Sequence, residues 1–371
     1  MLDCDDNQAV LKEARRYTRH PQRFNANWSK AMPLLMLVLE QIERHDLPGE
    51  FALLPYVESH YRQLPPSGNG PAGMWQLMGR TAVDQGLKVS RSYDERLDAL
   101  ASTAAAIGLL ERYDRQFSDW RLADMAFNAG EYRIKRALGK QLHQQLDSED
   151  LAGLKVSSTT HQHLARLMAL SCIINDPQRF SVTLPQPDNG IALQALTLPS
   201  AMDLRLAAAL AELPLAELLR FNAAWSRQKN PSGPTTRLLL PQQKVANFNF
   251  ALTKFPPAML SDWHLQTIDV STTLDTLASS LETPATLLAS ANQLDPTQTL
   301  HPGKAILLPG RATESESTTS TQTHTIRRGD TLSAIARHYG VRLADLLHWN
   351  ALSNTSILRP GAILRVHAPT F

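Results

Sequence analysis

The first feature of this chain able to do chemistry is a carboxylate set in apolar sequence, Glu58 in Leu53-Leu54-Pro55-Tyr56-Val57-Glu58-Ser59. Proline is accepted in a first helical turn, so the spacing predicts a short helix with Glu58 one turn in, beside Leu54 and Val57. Apolar surroundings disfavour the charged form of a carboxyl group, the condition a general acid needs. Taken alone, a partnered or exposed structural Glu is the better reading of this residue.

Two further stretches change that reading. Ser67-Gly68-Asn69-Gly70-Pro71-Ala72-Gly73 is a turn-forming segment whose glycines let backbone approach a ligand, and Met74-Trp75-Gln76-Leu77 then supplies an apolar wall, an aromatic surface for sugar and an amide. Ala126-Phe127-Asn128-Ala129-Gly130-Glu131 closes a helix with a second amide and a glycine. Each has a plain structural alternative, with Trp75 as core and Asn128-Ala129-Gly130 as a helix C-cap. Glu131, past that helix end, is the one further acid read in these segments.

These residues need a scaffold. From Trp28 to Glu43, Met32, Leu35, Met36, Val38, Leu39 and Ile42 recur at helical period. Leu97 to Arg115 is a helix rich in Ala99, Ala101, Ala104, Ala105 and Gly108, which permits close helix approach, and Trp120 to Asn128 is another. Residues 8–180 therefore read as all-helical. After Thr183-Leu184-Pro185-Gln186-Pro187 the pattern shortens and alternates, placing a boundary near residue 185. Residues 312–323 carry no large apolar side chain and read as a flexible linker.

A repeat flanks that linker. Thr267-Ile268, Thr273-Leu274, Leu277-Ala278, Leu288, Asn292, Leu294, Leu300 and Pro302-Gly303 match Thr325-Ile326, Thr331-Leu332, Ile335-Ala336, Leu346, Asn350, Leu352, Leu358 and Pro360-Gly361. A degenerate earlier copy holds Asp203-Leu204, Leu213, Leu218-Leu219 and Phe221-Asn222, with Arg237 to Pro241 as its closing strand. Each copy reads as a βααβ unit. The fold class is α+β multidomain: an all-α domain at 1–185, a degenerate module at 186–262, a module at 263–311, the linker at 312–323 and a last module at 324–367.

The last module, HTIRRGDTLSAIARHYGV followed by LLHWNAL and LRPGAILRV, resembles the LysM family, which binds N-acetylglucosamine-containing glycans. The resemblance implies a shallow groove made by Gly329, Asp330, Thr331 and Leu332 with Asn350, Ala351 and Leu352. For Asn350, a role in holding the module together is an equal alternative. The two upstream copies lack the Gly-Asp-Thr turn.

Glu58-Ser59, Gly73 to Gln76 and Ala126 to Gly130, in this order, resemble the goose-lysozyme-like transglycosylases, and among them the D-like branch of membrane-bound lytic murein transglycosylases; the likeness extends over about residues 25–366. The implied fold of the helical domain is lysozyme-like, and the implied partner is the peptidoglycan glycan strand. Glu58 would protonate the glycosidic oxygen between N-acetylmuramic acid and N-acetylglucosamine, then act as base. Ser67, Gln76 and Asn128 would position the sugar, and Met74 and Phe127 would line the groove. No metal or organic cofactor is implied. Where the family has an active-site Tyr this chain has His163, a residue of neutral-range pKa and so a source of pH sensitivity. His161 and His163 do not share a helix face, which argues against a metal site.

Glycosidases of the usual kind need two carboxylates, about 5–9.5 Å apart, across the scissile bond. One suffices where the substrate's N-acetyl group stabilises C1 and the 6-hydroxyl attacks it, leaving a 1,6-anhydro sugar. A non-catalytic wall-binding protein and a lysozyme-type hydrolase are the competing readings.

Composition narrows the field further. Hydrophobic residues at 43% and charged residues at 19% describe a globular chain, and a net charge of +2 lacks the basic excess of a nucleic-acid binder. The first twenty residues hold no apolar run of signal-peptide length, and Cys4 has no hydrophobic region before it, a poor setting for lipidation. A periplasmic or outer-membrane location rests on the resemblance alone. With only Cys4 and Cys172 present, no disulfide scaffold is expected, and Cys172 reads as core.

Overall fold

The computed structural model describes residues 4, 7–90, 93–141, 146–185, 192–227, 237–310, 323–327, 329–339, 341, 343–350, 352 and 361–366. Two compact units emerge, residues 1–309 and 310–371.

The first unit opens with nine helices among the described residues: α1 (Gln8–Tyr17), α2 (Pro21–Arg44), α3 (Leu54–Ser59), α4 (Gly79–Asp84), α5 (Ala99–Phe117), α6 (Trp120–Ala129), α7 (Glu131–Leu138), α8 (Ser148–Gly153) and α9 (Ser158–Asn175). Extended pairing in this part is limited to the isolated bridges Ala72 to Leu77 and Val89 to Asp94 among the described residues. Helix α2 starts earlier than its apolar period predicts, because Pro21 begins it and Phe24 adds a buried turn. Asp98 caps α5 through the amides of Leu100 and Ala101, and Asp119 caps α6 through that of Arg121. Helix α9, polar in its first two turns and mostly apolar after them, packs against both α1 and α6, so the core runs along it.

Cys4 and Cys172 correct an expectation. They form a disulfide that pins the N-terminal segment to α9. Cys172 is buried as expected, but it is not a free thiol. The two lie 168 positions apart, so their meeting depends on how α1 lies along α9 and has no local sequence signal.

Two βααβ motifs follow. The first is β1 (Leu193–Thr197), α10 (Leu204–Leu210), α11 (Leu215–Phe221) and β2 (Arg237–Pro241), with α12 (Gln242–Leu252) after it. The second is β3 (Trp263–Thr267), α13 (Leu274–Ser280), α14 (Ala285–Asn292) and β6 (Ala305–Pro309), with the short pair β4 (Thr272–Thr273) and β5 (Thr299–Leu300) between. Strands pair antiparallel, Ala195 opposite Leu239 and Leu265 opposite Leu307. The motifs share one hydrophobic core containing Leu206, Leu238, Trp263, Leu274 and Leu308. The first is also seated on the helical domain: Phe221 and Leu239 enter the helical core, and Arg220 donates to the Lys30 carbonyl at 2.6 Å.

The repeated Asn has a physical reason. Asn292 donates to the carbonyls of Leu288 and Leu307 and accepts from the Leu307 amide at 2.7 Å, tying the end of α14 to β6. Asn222 makes the same three bonds, to Leu218 and Leu239. The second unit carries β7 (Thr323–Thr325), α15 (Leu332–His338), α16 (Leu343–Trp349) and β8 (Ile363–Arg365) around Ile326, Leu332, Ile335, Leu346 and Leu364. Residues 312–322 of the expected linker lie outside the described residues.

Candidate active site

Helix α3 is six residues long, with Pro55 in its first turn and Glu58 one residue from its end. It stops because His60 and Tyr61 both take left-handed backbone, at φ 55° and 59°. Tyr61 then hydrogen-bonds the Ala52 carbonyl, closing the chain back on the turn before α3.

Ser59 holds the next segment. Its Oγ donates to the Met74 carbonyl at 2.9 Å, while the Gly73 amide donates to the Leu64 carbonyl at 2.8 Å. Gly73 has φ 76°, and a Cβ there would meet the Arg96 carbonyl oxygen at 1.8 Å. Arg96 is itself buried, paired with Asp94 at 2.8 Å and donating to the carbonyls of Gly70 and Leu77. One guanidinium thus anchors both ends of the loop that carries Gln76.

Gln76, at φ 48°, donates to the Gly73 carbonyl at 2.7 Å and is half-buried. Ser67 is exposed at the loop tip. Met74, expected along the groove, is wholly buried and meets Ser59 through its carbonyl. Trp75 is core rather than a sugar surface: it is also wholly buried, with its indole N–H on Thr103 Oγ1 at 3.0 Å and its ring 6.0 Å from that of Phe127. Phe127 is half-buried at the end of α6. The C-cap reading of Asn128-Ala129-Gly130 holds too, since Gly130 at φ 88° donates back to the Ala126 carbonyl.

Helices α6 and α9 face each other through two polar rungs. Thr160 Oγ1 donates to Asn128 Oδ1 at 3.2 Å. Along the same faces, three and four residues away, His163 Nδ1 lies 3.0 Å from Asp124 Oδ1. This second contact is close but off the hydrogen-bond line, leaving both Asp124 oxygens and Nδ1 without a well-aligned partner among the described residues. The other ring nitrogen, Nε2, is 2.9 Å from Glu58 Oε1. Side-chain exposure grades along this row, from 0% at Asp124 through 6% at His163 to 19% at Glu58. The three stand in line, with the imidazole between the carboxylates, and do not converge on a common point as metal ligands would.

Burial by itself would lower the His163 pKa, but the charge and proximity of Asp124, then the hydrogen bond and charge of Glu58, outweigh it and push the pKa up to about 10. The direction favours the imidazolium over the neutral ring, above the neutral range expected from the residue type. Beside α3, a cavity of about 460 Å³ is lined by Arg16, Arg23 and Arg166 with Glu13, and by His60, whose pKa burial lowers.

Asp124 is the participant that the residue pattern did not bring out. Its signal was present: a carboxylate on the apolar face Leu122-Ala123-Asp124-Met125-Ala126, four residues before Asn128. Glu131, the acid noted there instead, faces Arg112 and Lys135 at 3.3 and 3.6 Å.

Family models match the chain in three places. A transglycosylase SLT domain covers residues 39–148, a LysM-like domain of lytic transglycosylase MltD covers 192–256, and LysM domains cover 273–309 and 324–367. Over 373 aligned residues, 97% of this chain and 82% of the relative, it is 28% identical to membrane-bound lytic murein transglycosylase D of Escherichia coli K12. The chain belongs to the lytic murein transglycosylase D-like family. Two further relatives match part of the chain. A putative tributyltin chloride resistance protein of Alteromonas sp. strain M-1 is 30% identical over 161 residues, 43% of this chain and 77% of the relative. The N-acetylmuramoyl-L-alanine amidase XlyA of Bacillus subtilis is 43% identical over 49 residues, 13% of this chain and 16% of that one. His163 lies beyond the residues that the SLT model of the transglycosylase domain matches.

In the C-terminal LysM domain, Gly329 takes φ 97° and Thr331 caps α15 through the Ala334 amide. Asp330 accepts from the Arg327 amide and lies 2.7 Å from His324 Nε2, two contacts that hold its carboxyl below the usual range. Leu332 is buried, Leu352 is half-buried, and Asn350 donates to the Leu346 carbonyl at 2.8 Å. Ala351 lies outside the described residues.

Proposed function

We propose that this lytic transglycosylase cleaves the β-1,4 bond between N-acetylmuramic acid and N-acetylglucosamine with Glu58 as its single acid and base, leaving 1,6-anhydro-N-acetylmuramic acid ends. The observation that carries this reading is the exposure gradient of the Glu58, His163 and Asp124 row. Of the two carboxylates only Glu58 reaches solvent, while Asp124 is sealed behind the imidazole and cannot meet a sugar or its attacking water. Among the described residues of this row, a double-carboxylate hydrolysis lacks its second group.

In the cleavage step the Glu58 carboxyl proton passes to the glycosidic oxygen as the bond to C1 breaks, and the substrate's own N-acetyl oxygen closes on C1. The Glu58 carboxylate then takes the proton of the 6-hydroxyl as that oxygen displaces the N-acetyl group. Glu58 ends protonated, as it began, and no water is consumed. Gln76, Ser67 and Asn128 are the polar groups offered to the sugar, with Phe127 as apolar lining.

Residues 1–185 form the catalytic part and 324–367 a glycan-binding module, which uses Gly329, Asp330, Thr331, Leu332, Asn350, Ala351 and Leu352, joined by the linker 312–323. The modules at 186–262 and 263–311 lack the Gly-Asp-Thr turn of the last one and serve as supports. A site of action in the cell envelope follows from the substrate, and the Cys4 to Cys172 disulfide suits an oxidising compartment.

Mass spectrometry of muropeptides released from purified sacculi tests the reading. Products about 18 Da lighter than reducing ends are expected, because the internal 6-hydroxyl replaces water. Glu58→Gln should fold normally and lose at least about 10²-fold in turnover. Reducing ends as the main product would establish a hydrolase instead.

A further inference from the structure

A buried Asp pointing at a buried His is a costly arrangement unless both are charged, and here it sits directly behind the acid. We propose that Asp124 and His163 are positioning residues for Glu58: Asp124 keeps the imidazole cationic, so that Nε2–H is a fixed donor to Glu58 Oε1 and the transferable proton is confined to Oε2, the oxygen left for the sugar. This rests on the transglycosylase reading and adds to it a device that sets which oxygen is the acid and over what pH range.

The geometry requires each part. Neutral His163 carries one proton, and a tautomer with that proton on Nδ1 would present a lone pair to Glu58 and draw the acid's proton away from the substrate. A cation has protons on both nitrogens and offers Glu58 a donor only. When Glu58 gives its proton to the leaving oxygen, the new carboxylate finds an imidazolium already 2.9 Å away, with no reorganisation needed. When Glu58 recovers a proton from the 6-hydroxyl, His163 is unchanged. The proton count balances across the cycle without His163 exchanging one.

Among the described residues, no other group competes for the imidazole. Glu58 faces it from α3 and Asp124 from α6. On α1, Glu13 is engaged with Gln162 and with Arg166 at 2.9 and 3.5 Å, and Tyr17, its pKa raised to about 12 chiefly by burial, stays neutral. On α9 itself, His161 has Nε2 3.1 Å from the Leu154 carbonyl. Glu50, in the turn before α3, lines a separate cavity with Asn175 and Leu184.

The sign of the pH effect follows. With a folded pKa of about 10 against an ordinary 6.5, His163 is charged throughout the neutral range. Its contribution to stability is complete below about 6.5 and fades as pH rises through about 10. Replacing Asp124 with Asn removes the larger of the two influences that raise the pKa and leaves burial opposed by Glu58 alone, so the donor is lost at a lower pH than in the wild type.

The test follows the His163 ring nitrogens of the full-length protein by ¹⁵N NMR, without substrate, alongside turnover on sacculi from pH 5 to 10. In the wild type the ring should remain doubly protonated beyond pH 8, and the alkaline fall in turnover should come no earlier. In Asp124→Asn the ring should titrate at least two pH units lower than in the wild type, and the alkaline fall should move down with it. His163→Gln, whose amide does not titrate, should give a pH profile insensitive to residue 124 when combined with Asp124→Asn. A wild-type ring that titrates near 6.5, or an Asp124→Asn profile with the wild-type shape, would overturn the proposal. Should Asp124→Asn fail to fold, the wild-type titration alone still decides. Should the wild type release no anhydro products, the transglycosylase reading falls, while the NMR titration still judges the Asp124 and His163 pair.

Discussion

Ser59 Oγ and the Met74 carbonyl oxygen, 2.9 Å apart, join the short helix of Glu58 to the loop of Gln76. Both residues are buried, and Ser59 Oγ also accepts from the Arg62 amide and lies 3.1 Å from the Pro55 carbonyl oxygen, so the hydroxyl organises three backbone groups at the point where α3 ends. Ser59→Ala leaves the Met74 carbonyl desolvated without a donor. A loss of about 1–3 kcal/mol in stability is expected. Turnover, measured where the variant is fully folded, should fall several-fold because the loop is no longer registered on α3. Unchanged turnover in a folded variant would show that this bond has no part in placing the loop.

Gly73 makes the same loop sensitive from the other side. An added methyl would lie 1.8 Å from the Arg96 carbonyl oxygen, and Arg96 cannot yield without disturbing its buried pair with Asp94. Left-handed backbone adds strain of about 1–3 kcal/mol for a non-glycine residue. Gly73→Ala should therefore lower the thermal midpoint and reduce turnover together. Gly153→Ala, at a glycine with open space around it and no left-handed backbone, is the matched control and should change neither. Equal behaviour of the two variants in thermal melts would remove the claim that backbone contact fixes Gly73.

What could be read in advance follows the range of the interactions. Helices α5 and α6 announce themselves through apolar period and Asp caps, and the βααβ order through a repeat at constant spacing, all local signals. Trp75 was ambiguous because an aromatic residue after a glycine turn suits either a sugar platform or a core; only the Thr103 hydroxyl across 28 positions decides it. Asp124 and His163 are 39 positions apart by their numbers and meet only because α6 lies on α9. A buried carboxylate on an apolar face signalled that a partner existed, but not which one. The same holds for Cys4 and Cys172, and for Leu239, whose place in the helical core depends on how the first module is seated.

Reduction of the disulfide should destabilise the first unit without dismantling the site. The bond closes a loop of 168 residues, for which restriction of the unfolded chain corresponds to about 5 kcal/mol, against a usual measured range of about 2–5. Cys4→Ser with Cys172→Ser should lower urea resistance by an amount in that range. Turnover at low temperature should stay close to wild type, because neither cysteine touches Glu58, His163 or Gln76 in the contacts described. If the double variant unfolds at the same urea concentration as the wild type, the bond contributes nothing to the equilibrium.

The Asn clamp offers the most discriminating measurement of module architecture. Asn292 bonds both the amide and the carbonyl of Leu307, so its removal leaves two backbone groups of β6 without their partner beside a buried strand. Asn292→Ala should cost about 1–3 kcal/mol and speed hydrogen exchange at the Leu307 amide by a corresponding 5- to 150-fold, at about 1.4 kcal/mol per factor of ten. Because Trp263, Leu274 and Leu308 share a core with Leu206 and Leu238, the weakening should also reach the first module, seen as faster exchange at Leu239. A self-contained second module would behave differently, with exchange rising at Leu307 while Leu239 stays protected. That result would mean that the common core is contact without cooperativity, and that the two modules unfold independently.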